Sequence, residues 1–345
     1  MEMVNTGLKS VNKKLMARHQ VGLICCTYDY FCAMENATSY PKEKINILLL
    51  EGVHPSAIQL FHDHGYHSIE SVKGSLTEEE LRNRIRNIHL LGIRSKTQLT
   101  GSVLQSAGKL LAAGAFCIGT NQVDMKSAIA SGIAIFNSPY SNTRSVAEMV
   151  IGLSIMLARR IPEKNQAAHL GLWDKTSEGC NEVRGKTLGI IGYGHIGSQV
   201  SVLAESIGMR VVFYDVEPKL SLGNATRIAQ LDQLLKTSDI VTLHVPGTAD
   251  TKNLMDLNRI RKMKKGSILI NLSRGDVADT AAIRKLILSH HLRGAAVDVF
   301  ANEPKANNDP FVSDLQGLPN VILTPHIGGS TMEAQENIGI DVATK

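Results

Sequence analysis

Late in the chain, three segments carry side chains that could do chemistry together: Asn271-Leu272-Ser273-Arg274-Gly275, Asp298 to Pro304, and Thr324 to Ser330. Their reactive members are Arg274, Glu303 and His326. An imidazole titrates near neutrality, so it can take a proton from a hydroxyl and give it back. A carboxylate beside it would fix its orientation and favour its protonated form. A guanidinium can hold a substrate carboxylate through two parallel hydrogen bonds. Base, orienting acid and carboxylate clamp are what hydride removal from a small 2-hydroxy acid requires. Each group alone has an ordinary reading, as loop histidine, turn glutamate or surface arginine. Together they gain force from lying downstream of a dinucleotide motif.

In that motif, Leu188-Gly189-Ile190-Ile191 runs directly into Gly192-Tyr193-Gly194-His195-Ile196-Gly197. Gly192 permits a tight turn, Gly194 a close backbone approach to a pyrophosphate, and Gly197 close helix–strand packing. The following helix turns its free N–H groups toward the phosphates. The next strand ends at Asp215, about 20 residues on, where an acid accepts hydrogen bonds from ribose hydroxyls. A 2′-phosphate would meet like charge there, so the expected cofactor is NAD rather than NADP.

Alternating strands and helices must position these groups. The apolar run 45–50 predicts a strand buried on both faces, followed by a helix over 57–64 and strands over 88–93 and 133–136. Residues 145–160 are apolar at helical spacing and predict a helix connecting two domains. A second series of strands is expected at 187–191, 210–214, 239–243, 267–271, 295–299 and 320–323, with helices between most of them. Such alternation implies right-handed crossovers and parallel sheets covered on both faces, with chemistry at the strands' carboxyl ends. The expected class is α/β with two doubly wound parallel sheets.

Composition narrows the function. The 345 residues are 43% hydrophobic and 20% charged, which is ordinary for a globular chain. No apolar run reaches the roughly 18–20 residues of a membrane span, so no membrane partner is expected. The formal net charge of +5 is mild; it suits a small anionic substrate better than a nucleic acid. Cys25, Cys26, Cys32, Cys117 and Cys180 are odd in number and form no Cys-x-x-Cys pair, so neither a disulfide framework nor a metal site is expected. Reduced thiols suit a cytoplasmic enzyme. Residues 1–43 read as an N-terminal extension, disordered or packed against the body. Its first 20 residues carry Lys9, Lys13, Lys14 and Arg18 against Glu2 alone, which leaves an organelle transit peptide as the alternative.

Over about residues 44–345 the sequence resembles the D-isomer-specific 2-hydroxyacid dehydrogenase family. Gly92-Ile93-Arg94-Ser95, Gly119 to Asp124, Ser141 to Glu148 and Gly328 to Thr331 resemble its phosphoglycerate-oxidising branch in particular. The resemblance implies a Rossmann-like cofactor domain over 143–327 and a flavodoxin-like substrate domain split into 44–142 and 328–345, with hinges near 142–143 and 327–328. It implies Arg274, Glu303 and His326 as the catalytic group, His326 being the proton donor. Cofactor contacts are implied for Gly192, Gly194, His195, Ile196, Gly197, Asp215, His244, Val245, Pro246 and Leu272. Ser273, Arg274, Asp298, His326, Gly328 and Gly329 complete that set, Asp298 facing the nicotinamide carboxamide. Arg94, Ser95, Asn142, Arg274 and Gln335 are the implied substrate contacts, with Lys73 and Lys96 as added charge near the phosphate. Lys96 stands where relatives carry arginine. Trp173 and Lys175 fall in a segment that relatives use between subunits, so a homodimer or homotetramer is expected.

The implied reaction is NAD-dependent oxidation of 3-phospho-D-glycerate to 3-phosphohydroxypyruvate, in phosphorylated serine biosynthesis. Two alternatives remain. One is the same chemistry on glycerate, glyoxylate or 2-oxoglutarate. The other is an NAD-sensing scaffold like the corepressors that share this fold and keep the Arg-Glu-His group. Long members add a regulatory domain after the returning helix, which a chain ending at Lys345 is expected to lack.

Overall fold

A computed structural model describes residues 40–304 and 308–345. The extension read over residues 1–43 lies almost wholly outside the described residues, as do Cys25, Cys26 and Cys32.

The first sheet is built from β1 (Ile47–Leu49), β2 (Ile69–Ser71), β3 (Leu90–Ile93), β4 (Ala112–Ala115) and β5 (Ala134–Asn137). Its order is β2-β1-β3-β4-β5, parallel throughout. This is the flavodoxin-like order that the resemblance implies. Parallel strands are covered on both faces, and Ile47 to Leu50 are accordingly at most 1% exposed. Helix α1 (Pro55–Asp63) starts two residues before its sequence-predicted position. Pro55 suits a first turn, and the His54 side chain accepts a hydrogen bond from Ser56 N–H. Three short helices follow, α2 (Glu78–Arg84), α3 (Gly101–Gln105) and α4 (Met125–Ala130).

Helix α5 (Thr143–Ala158) leaves the first sheet and buries Val146, Ala147, Val150, Leu153 and Leu157 against the second. The expected span was two residues later. Arg160 then takes a left-handed conformation, φ 55°, and α6 (Ile161–His169) turns away.

The second sheet comprises β6 (Thr187–Ile191), β7 (Arg210–Tyr214), β8 (Thr226–Arg227), β9 (Ile240–Leu243), β10 (Ser267–Asn271), β11 (Leu292–Val297) and β12 (Val321–Leu323). Its parallel order is β12-β11-β10-β9-β6-β7-β8. Four helices connect these strands: α7 (His195–Ser206), α8 (Leu231–Thr237), α9 (Leu257–Lys262) and α10 (Thr280–Leu288). The strand expected over 295–299 ends at Val297, which leaves Asp298 just beyond the sheet. In each sheet the strand order reverses once, between β1 and β3 in the first and between β6 and β9 in the second. Open α/β sheets bind ligands at such points.

The chain returns to the first sheet as α11 (Met332–Thr344), which packs on α1, β4 and β5. Its Ile338 and Val342 enter the Ile47/Leu49 cluster, each burial stabilising by about 1.5–3 kcal/mol. A Cβ at Gly114 would come within 2.6 Å of Val342, so a bare backbone at that point lets the helix close down. Among the described residues no helix is long and apolar enough to cross a membrane.

Candidate active site

A cleft of about 1790 Å³ opens where the carboxyl ends of the two sheets face each other. From the first sheet's side it is lined by Arg94, Ser95 and Asn142, and by Gln335 of α11. From the second it is lined by Ile196, His244, Val245, Pro246, Leu272, Ser273, Arg274, Asp298, Glu303, His326, Gly328 and Gly329. Lys73 and Lys96 join the first wall. Gly192, Gly194, His195, Gly197 and Asp215 are not on this lining; they lie in the turn after β6, at the start of α7 and just past β7. A separate pocket of about 330 Å³ against Phe61, Phe116 and Val342 holds none of these groups.

His326 and Glu303 are joined. The imidazole Nδ1 lies 2.8 Å from Glu303 Oε2, and Glu303 Oε1 accepts the Phe300 N–H at 3.0 Å. Nε2 is therefore the ring nitrogen left for a reactant. His326 sits at φ 55°, a sparsely populated conformation for a residue with a side chain. Asp298, only 1% exposed, enforces it. Its Oδ1 accepts the Thr324 hydroxyl at 2.6 Å and Ile327 N–H at 2.9 Å, and its Oδ2 accepts Gly328 N–H at 2.8 Å. Its carbonyl accepts His326 N–H at 2.8 Å. Local strain held by surrounding bonds in this way is a mark of functional positions.

Arg274 follows β10. Buried Asn271 shapes its turn, accepting Ser273 N–H at 3.1 Å and donating to the Arg274 carbonyl at 3.0 Å. Gly275 packs its bare Cα on the backbone of Phe300 and Ala301, which ties the Arg274 turn to the loop bearing Glu303. Arg274, Glu303 and His326 thus come from adjacent strand ends onto one cleft.

The turn after β6 fits a dinucleotide. Gly192 lies at φ 92°, and a Cβ there would meet the His244 carbonyl oxygen at 2.5 Å. A Cβ at Gly197 would strike the Gly192 carbonyl. Gly194 caps α7 without a side-chain hydrogen bond, which leaves the helix's first N–H groups available to an anion. Asp215 Oδ2 accepts Tyr193 N–H at 2.7 Å and Oδ1 accepts Glu217 N–H at 2.9 Å, so the acid is fastened to the glycine turn. His244 Nε2 lies 3.0 Å from the Thr242 hydroxyl, while Nδ1 is sealed from solvent without a partner. Burial pushes its pKa down to about 3, which keeps this imidazole neutral.

The two chain segments crossing between the sheets lie side by side. Asn142 packs against Gly329, and the Ser145 hydroxyl is 2.8 Å from that of Thr331. Trp173 and Lys175 are exposed and away from the cleft, Trp173 by 89%. Sequence reasoning placed Asn271 and Gln122 in motifs without a role of their own; Gln122 Nε2 donates to the Arg94 carbonyl at 2.8 Å. That reasoning missed Glu51, whose carboxylate partners are N–H groups of a loop more than forty positions downstream.

Residues 151–328 match the family model described as D-isomer specific 2-hydroxyacid dehydrogenase, NAD binding domain. The chain belongs to the D-isomer specific 2-hydroxyacid dehydrogenases. It is an NAD-dependent oxidoreductase of that family. It is 56% identical over 307 residues to D-3-phosphoglycerate dehydrogenase of Escherichia coli (strain K12), covering 89% of this chain and 75% of that one. It is 53% identical over 312 residues to D-3-phosphoglycerate dehydrogenase of Haemophilus influenzae, covering 90% and 76%. Among solved structures, the D-lactate dehydrogenase of Aquifex aeolicus, complexed with NAD and lactic acid, superposes with a TM-score of 0.73. That neighbour is 28% identical, over 87% of this chain and 93% of its own.

Proposed function

We propose that this dehydrogenase oxidises 3-phospho-D-glycerate to 3-phosphohydroxypyruvate, reversibly, as the first step of phosphorylated serine biosynthesis. The observation that carries it is one cleft with the His326–Glu303 pair and Arg274 on one wall and Arg94, Lys73 and Lys96 on the other. Relatives at 53–56% identity carry that activity in their names.

Arg274 binds the substrate carboxylate as a two-pronged clamp. His326 Nε2 takes the proton of the 2-hydroxyl as hydride leaves the same carbon. Glu303, on Nδ1, stabilises the imidazolium that forms and holds the ring in place. Bound NAD supplies the hydride acceptor. Gly192, Gly194, His195, Ile196, Gly197 and Asp215 would hold its pyrophosphate and ribose end. His244 to Pro246, Leu272 to Arg274, Asp298 and His326 to Gly329 would line the rest of its path. Arg94 and Ser95, flanked by Lys73 and Lys96, receive the phosphate, with Asn142 and Gln335 beside them.

The substrate domain spans 44–142 and 328–345 and the cofactor domain 143–327, with hinges near 142–143 and 327–328, beside the contact of Asn142 with Gly329. Exposed Leu170, Leu172 and Trp173 support a homodimer or homotetramer joined through that segment. The proposed compartment is the cytoplasm.

NADH-dependent reduction of phosphohydroxypyruvate tests the reading, with His326→Ala as the control. Replacing His326 should lower kcat by about 10²–10⁴, the scale of a lost acid–base catalyst. Absence of turnover by the wild type while NADH still binds would rule out this substrate, and an unchanged kcat in the variant would remove His326 from the chemistry.

A further inference from the structure

The wall that receives the phosphate contains a carboxylate. Glu51 follows β1, Arg94 follows β3, and these strands flank the first sheet's switch point. Lys73, Arg94 and Lys96 line the cleft there, and so does Glu51. A free carboxylate among them would repel an anionic ligand.

Its oxygens are not free. Oε1 accepts Arg94 N–H at 3.1 Å and Thr97 N–H at 2.8 Å, while Oε2 accepts Lys96 N–H at 2.9 Å. The Glu51 carbonyl accepts from Arg94 Nη1 at 3.3 Å. On its other side, Glu51 N–H donates to the Gly74 carbonyl and Gly52 N–H to the Val72 carbonyl, both at 3.0 Å, which fastens the turn carrying Lys73. One residue therefore ties down both cation-bearing loops. It does so from φ 65°, where glycine would be the easy choice. Burial alone would raise its pKa, but hydrogen bonds from the 94–97 loop outweigh that and hold the carboxyl below its ordinary range.

We infer that Glu51 is the positioning residue of the phosphate-binding wall, and that by ordering the Arg94–Thr97 loop it sets the preference for a phosphorylated over an unphosphorylated hydroxy acid. The inference rests on Arg94 as the phosphate contact. Two physical readings give opposite signs. If Glu51 acts as a bare charge, removing it strengthens anion binding. If it acts as a clamp, removing it frees Arg94 and weakens binding.

The test compares phosphohydroxypyruvate with hydroxypyruvate, at saturating NADH, in Glu51→Gln, Glu51→Asp, Arg94→Ala and the double variant Glu51→Gln/Arg94→Ala. The quantity read is the ratio of kcat/KM for the two substrates. Glu51→Gln should lower it about tenfold, mainly through KM for the phosphorylated acid, the size of one broken charge-assisted hydrogen bond. Glu51→Asp keeps the charge and should retain part of the ratio. In the Arg94→Ala background the same change should add less than about threefold, because coupled residues are not additive. A lower KM for phosphohydroxypyruvate in Glu51→Gln overturns the inference. So does an unchanged ratio in Glu51→Gln when Arg94→Ala lowers it, and the Arg94 assignment then stands. Equal losses for both substrates in Arg94→Ala overturn the phosphate role of Arg94 and the inference with it. Should Glu51→Gln lose NADH binding through misfolding, Glu51→Asp decides, an unchanged ratio again overturning it.

Discussion

The two switch points face the same cleft and are built by opposite means. Between β6 and β9 the contact is backbone on backbone, with Gly192 lying where a Cβ would meet the His244 carbonyl at 2.5 Å. Between β1 and β3 it is side chain on backbone, with the Glu51 carboxylate gripping N–H groups of Arg94, Lys96 and Thr97. The difference suits the ligand that the proposed function gives each to hold. A pyrophosphate is bound by main-chain N–H groups at a helix start, so the surrounding chain must be stripped of side chains. A substrate phosphate is bound by cations at loop tips, and a loop needs something to hold it. Asp298 repeats the Glu51 device on the cofactor side, gripping the loop that carries His326. The glycine turn is thus made from what is left out, and the loops carrying Arg94 and His326 are held by carboxylates that grip their backbone.

The comparison breaks most visibly at Gly192. Adding one methyl group there forces a left-handed alanine into the His244 carbonyl, two penalties at a single atom. Gly192→Ala should weaken NADH binding about 100-fold, or about 2.7 kcal/mol, the sum of backbone strain and displaced backbone. Fluorescence titration with NADH measures it. A dissociation constant within a factor of two of wild type would mean that the turn has room, and that its glycine is incidental.

The same contrast explains what could be read from the sequence. The glycine turn was legible because its constraint is local: Gly192 to Gly197 follow one strand and open one helix, and Asp215 ends the next strand. Arg274, Glu303 and His326 were legible as residue types after strands, although only folding brings Glu303 to His326 across the intervening chain. Strand β4 was not legible, because Ala112-Ala113-Gly114-Ala115 has too little apolar bulk to stand out, its small residues making room for Phe116 and Val342. Strand β8, two residues long, left no pattern at all. Glu51 was unread for a third reason. Its partners lie more than forty positions downstream, and no local periodicity records a hydrogen bond to another loop's backbone.

A smaller effect sharpens the comparison from the cofactor side. The neutral His244 imidazole behind the glycine turn ties that wall to pH. With the pKa near 3 in the folded state and about 6.5 unfolded, the unfolded chain binds the extra proton first. Its contribution is therefore complete above pH 6.5 and is lost as pH falls from there toward 3. The loss is at most about 2 kcal/mol by pH 5, an upper bound because part of the residue borders the cleft. Denaturant titrations of wild type and His244→Asn across pH 5–8 read it directly. Parallel curves would show that the ring titrates normally and that the cofactor wall has no buried ionisable weak point.

The smallest expected effect concerns Asp215, the carboxylate that the proposed function sets at the ribose end of NAD. Its oxygens accept one N–H each, from Tyr193 and Glu217, against the three that hold Glu51, so each keeps acceptor capacity. A ribose diol can donate to them, and a 2′-phosphate would be repelled. Asp215→Asn keeps the shape and removes the charge, so kcat/KM with NADPH should rise about tenfold relative to NADH, the scale of one like-charge contact at a partly exposed site. A gain with NADPH alone would mark Asp215 as a selector acting by repulsion. Equal losses with both cofactors would make it, like Glu51, chiefly a clamp on its own turn, and the two walls would then differ less than their glycines suggest.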